Sequence, residues 1–247
     1  MNRHKLLNVT SRRRIRESSA STSDFIITLN NAQGLQQVKS VVVKQATIPN
    51  SMYNVSSYNN TFTYKIAGVE NSVSITQGQY NVTTLIDALE TALVGVGMSI
   101  TVNELTSKLT FTTTTAIEYL PYPTNPMGDV LGINNGSGGD LSVFTPVGSV
   151  SLEGLKNVFI YSDKLGENNL INSQGKTFSF LGVIPIEVGY GGIEHYVTQH
   201  SELDDHDSLS VVHGKNVQVI DIKLTDVNGN ILELNGHDVD LILKIFY

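Results

Sequence analysis

The sequence predicts a mainly β protein, a two-layered sandwich that carries a small α+β insertion. Segments that alternate apolar and polar side chains recur along most of the chain, and turns rich in Gly, Asn and Asp separate them. Only 16% of the residues are charged and Trp is absent, while Val and Thr, which suit a pleated surface, are plentiful. A single segment has helical periodicity. Regularly spaced strands with one helix favour a sandwich with non-local strand pairing, a jelly roll.

The first predicted element is a basic arm over residues 1–23. All five arginines lie in its first sixteen residues, and residues 1–22 hold six basic and one acidic side chain, a formal charge of +5. Residues 23–247 hold ten basic and 22 acidic side chains, a formal charge of −12. Residues 18–23 are small and polar, so they bury too little apolar surface to become ordered alone. We therefore predict a flexible arm whose partner-docking residues are Arg3, Lys5, Arg12, Arg13, Arg14 and Arg16.

The jelly-roll domain is predicted from residues 24–58 and 155–247. Its expected strands cover residues 25–29, 38–48, 158–162, 177–186, 193–198, 208–213, 216–226 and 239–247. The Asn228-Gly229 pair predicts a type I′ hairpin turn before the last strand, because both residues tolerate positive φ. No apolar run approaches the ~18 residues that a membrane span needs, and no apolar segment typical of a signal peptide follows the first residues.

Residues 59–154 are predicted to form the insertion and its connecting loops. Residues 62–66 and 72–76 indicate one hairpin, and residues 99–104 and 108–114 a second. Between them, Leu85, Leu89 and Leu93 recur at helical spacing, with Asn81 or Thr83 as the N-cap and Gly95 at the end. The predicted insertion is one short helix on a four-stranded sheet.

Motifs for catalysis and cofactor binding are incomplete. The chain has no Cys, which excludes disulfides, thiol nucleophiles and Cys-ligated metals. The His- and Asp-rich segment 194–213 lacks the spacing of a metal site, because His195 and His200 point to opposite faces of a continuous strand. Residues 175–177 imitate the end of a phosphate-binding loop without its first glycine, and residues 226–230 imitate a calcium loop without its later ligands. We predict no catalytic residue, no bound metal and no cofactor.

The basic arm needs an anionic partner. Its arginines could neutralise nucleic-acid phosphates, but no aromatic side chain is interleaved to stack on bases. An acidic protein surface is therefore favoured over nucleic acid, and a simple contribution to solubility stays open.

Several segments together resemble the penton and minor capsid proteins of icosahedral double-stranded DNA viruses whose major capsid protein is a double jelly roll, a group that includes large eukaryotic DNA viruses and virophages. They are residues 24–29 (DFIITL), 38–48, 49–55 (PNSMYNV), 59–62 (NNTF), 78–81 (GQYN), 130–133 (VLGI), 180–186 (FLGVIPI), 217–224, 226–229 (DVNG) and 232–238 (LELNGHD). The resemblance covers most of the chain and is carried by turns and strand ends.

The resemblance implies a non-enzymatic virion protein that is assembled inside the host cell. Five copies would close an icosahedral vertex and contact the major capsid protein, and the arm would reach other minor capsid or internal proteins or touch the genome nonspecifically. The alternative is a carbohydrate- or receptor-binding jelly roll of a spike or fibre, in which tyrosines stack on sugars. Its candidates are Tyr53, Tyr58, Tyr119, Tyr122 and Tyr190. An enzyme on a sandwich scaffold is the third and least favoured hypothesis.

Overall fold

The computed structural model describes residues 4–14, 21–29, 35–133, 141–165, 168–171, 177–198 and 210–247. The chain divides into two compact units, Met1–Met52 with Leu155–Tyr247, and Tyr53–Gly154. We call the first the jelly-roll unit and the second the insertion unit. The sequence analysis placed the first boundary after residue 58. Residues 53–58 lie instead in the insertion unit, where the backbones of Val55 and Gly78 pair.

The jelly-roll unit consists of ten described strands and one short 3₁₀ turn, Ser11–Arg13. The strands are β1 (His4–Thr10), β2 (Asp24–Thr28), β3 (Leu35–Pro49), β9 (Asn157–Tyr161), β10 (Asn168–Ile171), β11 (Thr177–Pro185), β12 (Ile193–Val197), β13 (Ser210–Val217), β14 (Val219–Thr225) and β15 (Asp240–Phe246). The numbers β4 to β8 belong to the insertion unit, which follows β3 in the chain.

The strand order confirms the predicted jelly roll. One sheet runs β1-β15-β3-β12, with β13 also paired to β3, and the other runs β10-β11-β9-β14-β2. Lettered B to I in chain order, with β12 and β13 sharing the place of G, the sheets read BIDG and CHEF, and β10 extends the second sheet beyond F. Successive strands alternate between the sheets except E and F, which pair within the second sheet, and this is the double Greek-key connectivity of a jelly roll.

The core of this unit lies between the inward faces of the two sheets. In the first sheet, Leu241 pairs with Ala46, Leu243 with Val43 and Ile245 with Val41, and all six side chains are buried. The second sheet contributes Val158, Ile160, Ile220, Ile222 and Leu224, which are 0% exposed. Alternation along each strand therefore buries one apolar face per sheet.

The prediction of a flexible arm over residues 1–23 is wrong for most of its described residues. β1 pairs with β15 along its whole length, from His4 with Phe246 to Thr10 with Asp240, and Val9 is 0% exposed. Thr22 and Ser23 are also buried. Residues 15–20 lie outside the described part. The apolar–polar alternation of β1 is weak, and the strand that pairs with it and covers its apolar side chains lies at the opposite end of the chain. The sequence near β1 therefore did not reveal a strand.

The insertion unit packs one helix, α1 (Val82–Ala92), on a sheet. The strands are β4 (Thr61–Ile66), β5 (Val69–Ser74), β6 (Ser99–Asn103), β7 (Lys108–Tyr119) and β8 (Leu141–Phe144), and the 3₁₀ turns are Val94–Val96 and Pro126–Gly128. The order β5-β4-β7-β6 is the predicted four-stranded sheet, and β8 adds an unpredicted fifth strand beside β7.

The helix begins as the sequence predicts and ends differently. The Asn81 side chain accepts from Thr84 N at 2.9 Å while Thr84 Oγ1 accepts from Asn81 N at 3.1 Å, a capping box that satisfies two otherwise free N–H groups. The helix ends at Ala92 and continues into the 3₁₀ turn, and the left-handed residue that closes this turn is Gly97 (φ 61°) rather than the predicted Gly95. Leu85, Leu89 and Leu93 are buried as predicted.

The prediction of a type I′ hairpin turn after β14 is wrong. Of its two central residues only Gly229 has positive φ (83°), whereas a type I′ turn requires both. A single bridge joins Thr225 and Ile231, after which the chain leaves for β15 in the other sheet. The sequence specified a turn correctly, but the long-range pairing of β15 with β3 and β1 decided where the next strand went.

No helix in the described part of the chain is long and apolar enough to span a membrane.

Candidate docking surface at the N-terminal strand

The predicted docking residues occupy β1 and the 3₁₀ turn that follows it. Arg3 and Arg16 lie outside the described residues, whereas Lys5 lies on β1 and Arg12, Arg13 and Arg14 follow in or beside the turn. The predicted arm is therefore a structured cationic element over this stretch.

Asp238 holds the turn in place. Ser11 is 0% exposed; its hydroxyl donates to Asp238 Oδ1 at 2.7 Å and accepts from Val239 N at 3.0 Å. The backbone N–H of Ser11 also donates to the Val239 carbonyl at 3.0 Å. These contacts join two segments 227 residues apart and satisfy polar groups whose burial would otherwise cost free energy.

Two of the arginines share this aspartate. Arg12 Nε lies 3.3 Å from Asp238 Oδ2, and Arg14 Nη1 lies 3.3 Å from Asp238 Oδ1 and donates to the Ser11 carbonyl at 2.9 Å. The Arg12 side chain stays 73% exposed, and exposed Arg13 has no ion pair among the described residues. Residues 11–14 are here called the cationic turn; their three arginines together with Asp238, which contacts two of them, have a formal charge of +2.

β1 is an edge strand. Within the described residues it pairs only with β15, so its other edge presents backbone groups that a further strand or chain could bind. Leu6, on the outward face, is 63% exposed. Lys5 Nζ lies 5.5 Å from the centre of the Tyr247 ring, and burial raises the pKa of the Tyr247 phenol.

The opposite edge of the same sheet also exposes apolar side chains. β12 pairs only with β3 in the part of the chain that the structure describes. Ile193 and Val197 project from one face of β12 and are each 51% exposed, with exposed His195 between them. The two edges of the sheet therefore expose different apolar side chains, one leucine on β1 and two aliphatic side chains on β12.

The insertion unit is strongly acidic. It holds eight acidic side chains, two lysines and no Arg or His, a formal charge of −6, and Lys65 is already 3.7 Å from Glu118. Glu104 and Leu105 form the tip of the β6–β7 hairpin, where Leu105 is 97% exposed. The jelly-roll unit holds 14 basic and 15 acidic side chains, so the acidity of the chain is concentrated in the insertion unit.

The incomplete catalytic and metal motifs are structural elements where the structure describes them. Residues 199–209 of the His-rich segment and Gly175-Lys176 lie outside the described part, and Thr177 begins β11 where a phosphate-binding loop requires a helix. No group of three His, Asp or Glu side chains among the described residues could hold a metal ion.

Asp226 and Asp221 both accept hydrogen bonds from protein donors. Asp226 accepts from the backbone N–H groups of Asn228 (2.8 Å) and Asn230 (2.9 Å), so it stabilises its turn. Buried Asp221 accepts from the Ser162 hydroxyl at 2.8 Å and from Lys164 N at 2.9 Å. Both carboxylates are therefore fold elements.

The candidate sugar-stacking tyrosines are scattered. Tyr119 is 0% exposed inside an aromatic cluster, with its ring centre 4.5 Å from that of Phe144. Tyr58, Tyr122 and Tyr190 are 50%, 45% and 48% exposed, and Tyr53 is half-buried. At the docking surface, Ser11, Asp238 and Leu6 were not predicted, because only the pairing of β1 with β15 brings them together.

Among solved structures, the chain is similar to the selenomethionine-labelled mavirus penton protein, with 12% sequence identity, a TM-score of 0.49, and coverage of 99% of both chains. No protein with a curated function matches the sequence. The model of the family described as "Family of unknown function (DUF5901)" matches residues 3–178. Since this match spans β1 to the start of β11, more than half of the 247 residues, the chain belongs to that family.

Proposed function

We propose that the protein is a structural capsid subunit of the penton type, five copies of which close a ring at an icosahedral fivefold vertex. The observation that carries the proposal is that the two edges of the BIDG sheet expose unlike apolar side chains, Leu6 on β1 and Ile193 with Val197 on β12. A head-to-tail interface joins two different surfaces and closes into a ring when its rotation allows. The sequence resemblance to penton and minor capsid proteins supports the same role.

The proposed ring would contact the major capsid protein and other minor capsid or internal virion proteins, inside a virion assembled in the host cell. The cationic turn, with Arg3, Lys5 and Arg16, would serve docking, and a nonspecific contact with the genome would add to it. This role requires no catalytic residue and no cofactor. It requires large surfaces for neighbours, and jelly rolls serve this purpose in many capsids.

Sedimentation velocity and negative-stain imaging of the full chain test the ring. We expect a pentamer that Leu6→Asp and Val197→Asp each weaken, because each change places a carboxylate in a desolvated apolar contact. Val227→Asp is the matched control, since Val227 is 57% exposed on the turn after β14. A chain that stays monomeric at high concentration, alone and with a capsid partner, contradicts the proposal.

A second candidate function is glycan binding by the insertion unit. Half-exposed Tyr58 and Tyr122 favour it, because aromatic rings that are accessible can stack on sugar faces. Glycan-array binding that Tyr122→Ala abolishes, and that persists in a monomeric variant, would favour this function over the ring.

A further inference from the structure

We infer that the cationic turn of one copy docks on the acidic surface of the insertion unit of a second copy. This inference rests on the proposed assembly function and identifies which charged surfaces meet. It follows from three observations: the turn is fixed by buried hydrogen bonds, the eight acidic side chains of the insertion unit outnumber its two lysines, and the turn has no aromatic side chain for stacking on bases.

The cationic turn is a preorganised element rather than a free tail. Ser11 is buried and bonded to Asp238 and Val239, so the backbone that carries the arginines is fixed before any partner arrives. Arg12 is 73% exposed in spite of its contact with Asp238, and exposed Arg13 has no ion pair within the described residues. A fixed cationic group loses less conformational entropy on binding than one on a mobile tail.

The insertion unit carries exposed carboxylates that form no ion pair among the described residues. Glu70, Asp87, Glu104 and Asp129 are exposed and form no ion pair among the described residues. The insertion unit has only two lysines, and one of them is close to Glu118. Glu104 stands beside 97% exposed Leu105, so the hairpin tip offers a charge and an apolar contact together.

A second copy of the chain fits the turn better than nucleic acid does. The turn contains no aromatic side chain to stack on bases. Subunits with a net charge of −7 repel one another when they assemble, and a contact between +2 and the −6 unit offsets part of that repulsion. Each copy carries both surfaces, as the head-to-tail arrangement requires.

The test reverses one charge on each surface of the full chain. Arg13→Glu reverses a charge on the cationic turn, and Glu104→Lys reverses a charge on the insertion unit. Lys39→Glu is the control, because Lys39 is exposed and lies next to Ser40, which pairs with Phe246 at the end of β15 opposite Asp240. Self-association is measured by sedimentation velocity at 50, 150 and 500 mM NaCl, and thermal unfolding verifies that each variant is folded.

We expect Arg13→Glu and Glu104→Lys each to raise the dissociation constant about tenfold at 150 mM salt, as loss of a charge pair at an interface does. The effect should shrink at 500 mM, where the Debye length falls well below 8 Å. Arg13→Lys should retain association. An equimolar mixture of the two reversed variants should associate more tightly than either alone. In the mixture, Arg13 of the Glu104→Lys variant meets Glu104 of the Arg13→Glu variant, and the two introduced side chains also have opposite charges.

Several results would overturn the inference. If pentamers form and Arg13→Glu behaves like Lys39→Glu, the docking is wrong while the proposed ring stands. If each reversal weakens association but the mixture restores nothing, the charges do not meet across copies. If Arg13→Glu abolishes binding to a short DNA duplex and leaves self-association unchanged, the turn serves a polyanion. A chain that never self-associates overturns both the inference and the proposed function.

Discussion

Replacing Val9 by Ala tests whether β1 belongs to the core. Val9 is 0% exposed against Leu241 on the neighbouring strand, so the change removes two buried carbon groups and leaves a cavity. At about 0.8 kcal/mol per buried carbon, plus the cavity, we expect a loss of about 2–3 kcal/mol. For a chain of this size, at about 2–4 °C per kcal/mol, that loss lowers the melting temperature by about 4–12 °C.

Leu6→Ala is the matched control on the same strand. Leu6 points to the opposite face and is 63% exposed, so its truncation should change the free energy of unfolding by less than about 0.5 kcal/mol at a protein concentration at which the proposed ring is dissociated. The assay is differential scanning calorimetry of the full chain, with hydrogen exchange of the peptide that covers His4–Thr10. Equal, negligible shifts for both variants, with fast exchange of the β1 amides, would show that β1 is a free arm and refute the reasoning.

Three further predictions concern the insertion unit. Asn54→Asp should destabilise it by about 2–4 kcal/mol in chemical denaturation, because the Asn54 Nδ2 group donates to the carbonyls of Tyr80 (2.8 Å) and Leu152 (3.0 Å) and a carboxylate would repel both. Gly132→Ala should destabilise it by more than about 2 kcal/mol, since a Cβ there would lie 2.5 Å from Gly148 backbone atoms and the residue has φ 75°. Tyr119→Phe should be neutral or stabilising at pH 7 and should flatten the alkaline loss of stability.

The pH dependence of Tyr119 follows from its burial, which raises the pKa of its phenol to about 12. Thr113 Oγ1 faces the phenol and partly opposes the rise, but neither hydroxyl forms a hydrogen bond of normal geometry among the described residues. The phenol ionises near pH 10 in the unfolded chain and near 12 in the folded one. The protonated phenol therefore favours the folded state fully below pH 10, and this contribution is lost between pH 10 and 12.

Each of these variants has a control in the same chain. Asn157→Asp changes an exposed amide, Gly95→Ala adds a Cβ with no atom within 4 Å, and Tyr122→Phe removes a hydroxyl from a 45% exposed ring. All three should be neutral within about 0.5 kcal/mol. A control as damaging as its partner variant would contradict the assigned contacts, and an unchanged alkaline transition in Tyr119→Phe would contradict the assignment of that ionisation.

Local signals predicted most of the strands and the helix. Alternation identified β3, β4 and β5, and the Asn81 cap with leucines at helical spacing identified α1. The segments that were missed, β1, β8 and β10, have four to seven residues and weak alternation of their own. Each is stabilised by the strand it joins rather than by its own sequence, so the pattern in the chain did not reveal it.

The docking surface was predicted in composition and not in structure. The clustering of arginines before residue 17 pointed to a cationic element, and that charge is present in the described residues. Its rigidity depends on Ser11 and Asp238, which lie 227 residues apart and carry no shared motif. Two of the predicted docking residues, Arg12 and Arg14, form ion pairs with Asp238. Arg13 is therefore the arginine of the turn most available to a partner.

The sequence by itself determined the β class, the turns, the one helix and the division of charge, because these depend on neighbouring residues and on composition. Only the tertiary structure decided that His4–Thr10 is the B strand of a jelly roll, that β15 leaves the turn at Gly229 for the other sheet, and that Asp238 holds the arginines. The physical reason is that strand pairing satisfies backbone groups between distant segments. A strand's local pattern shows which face is apolar but not which partner covers it.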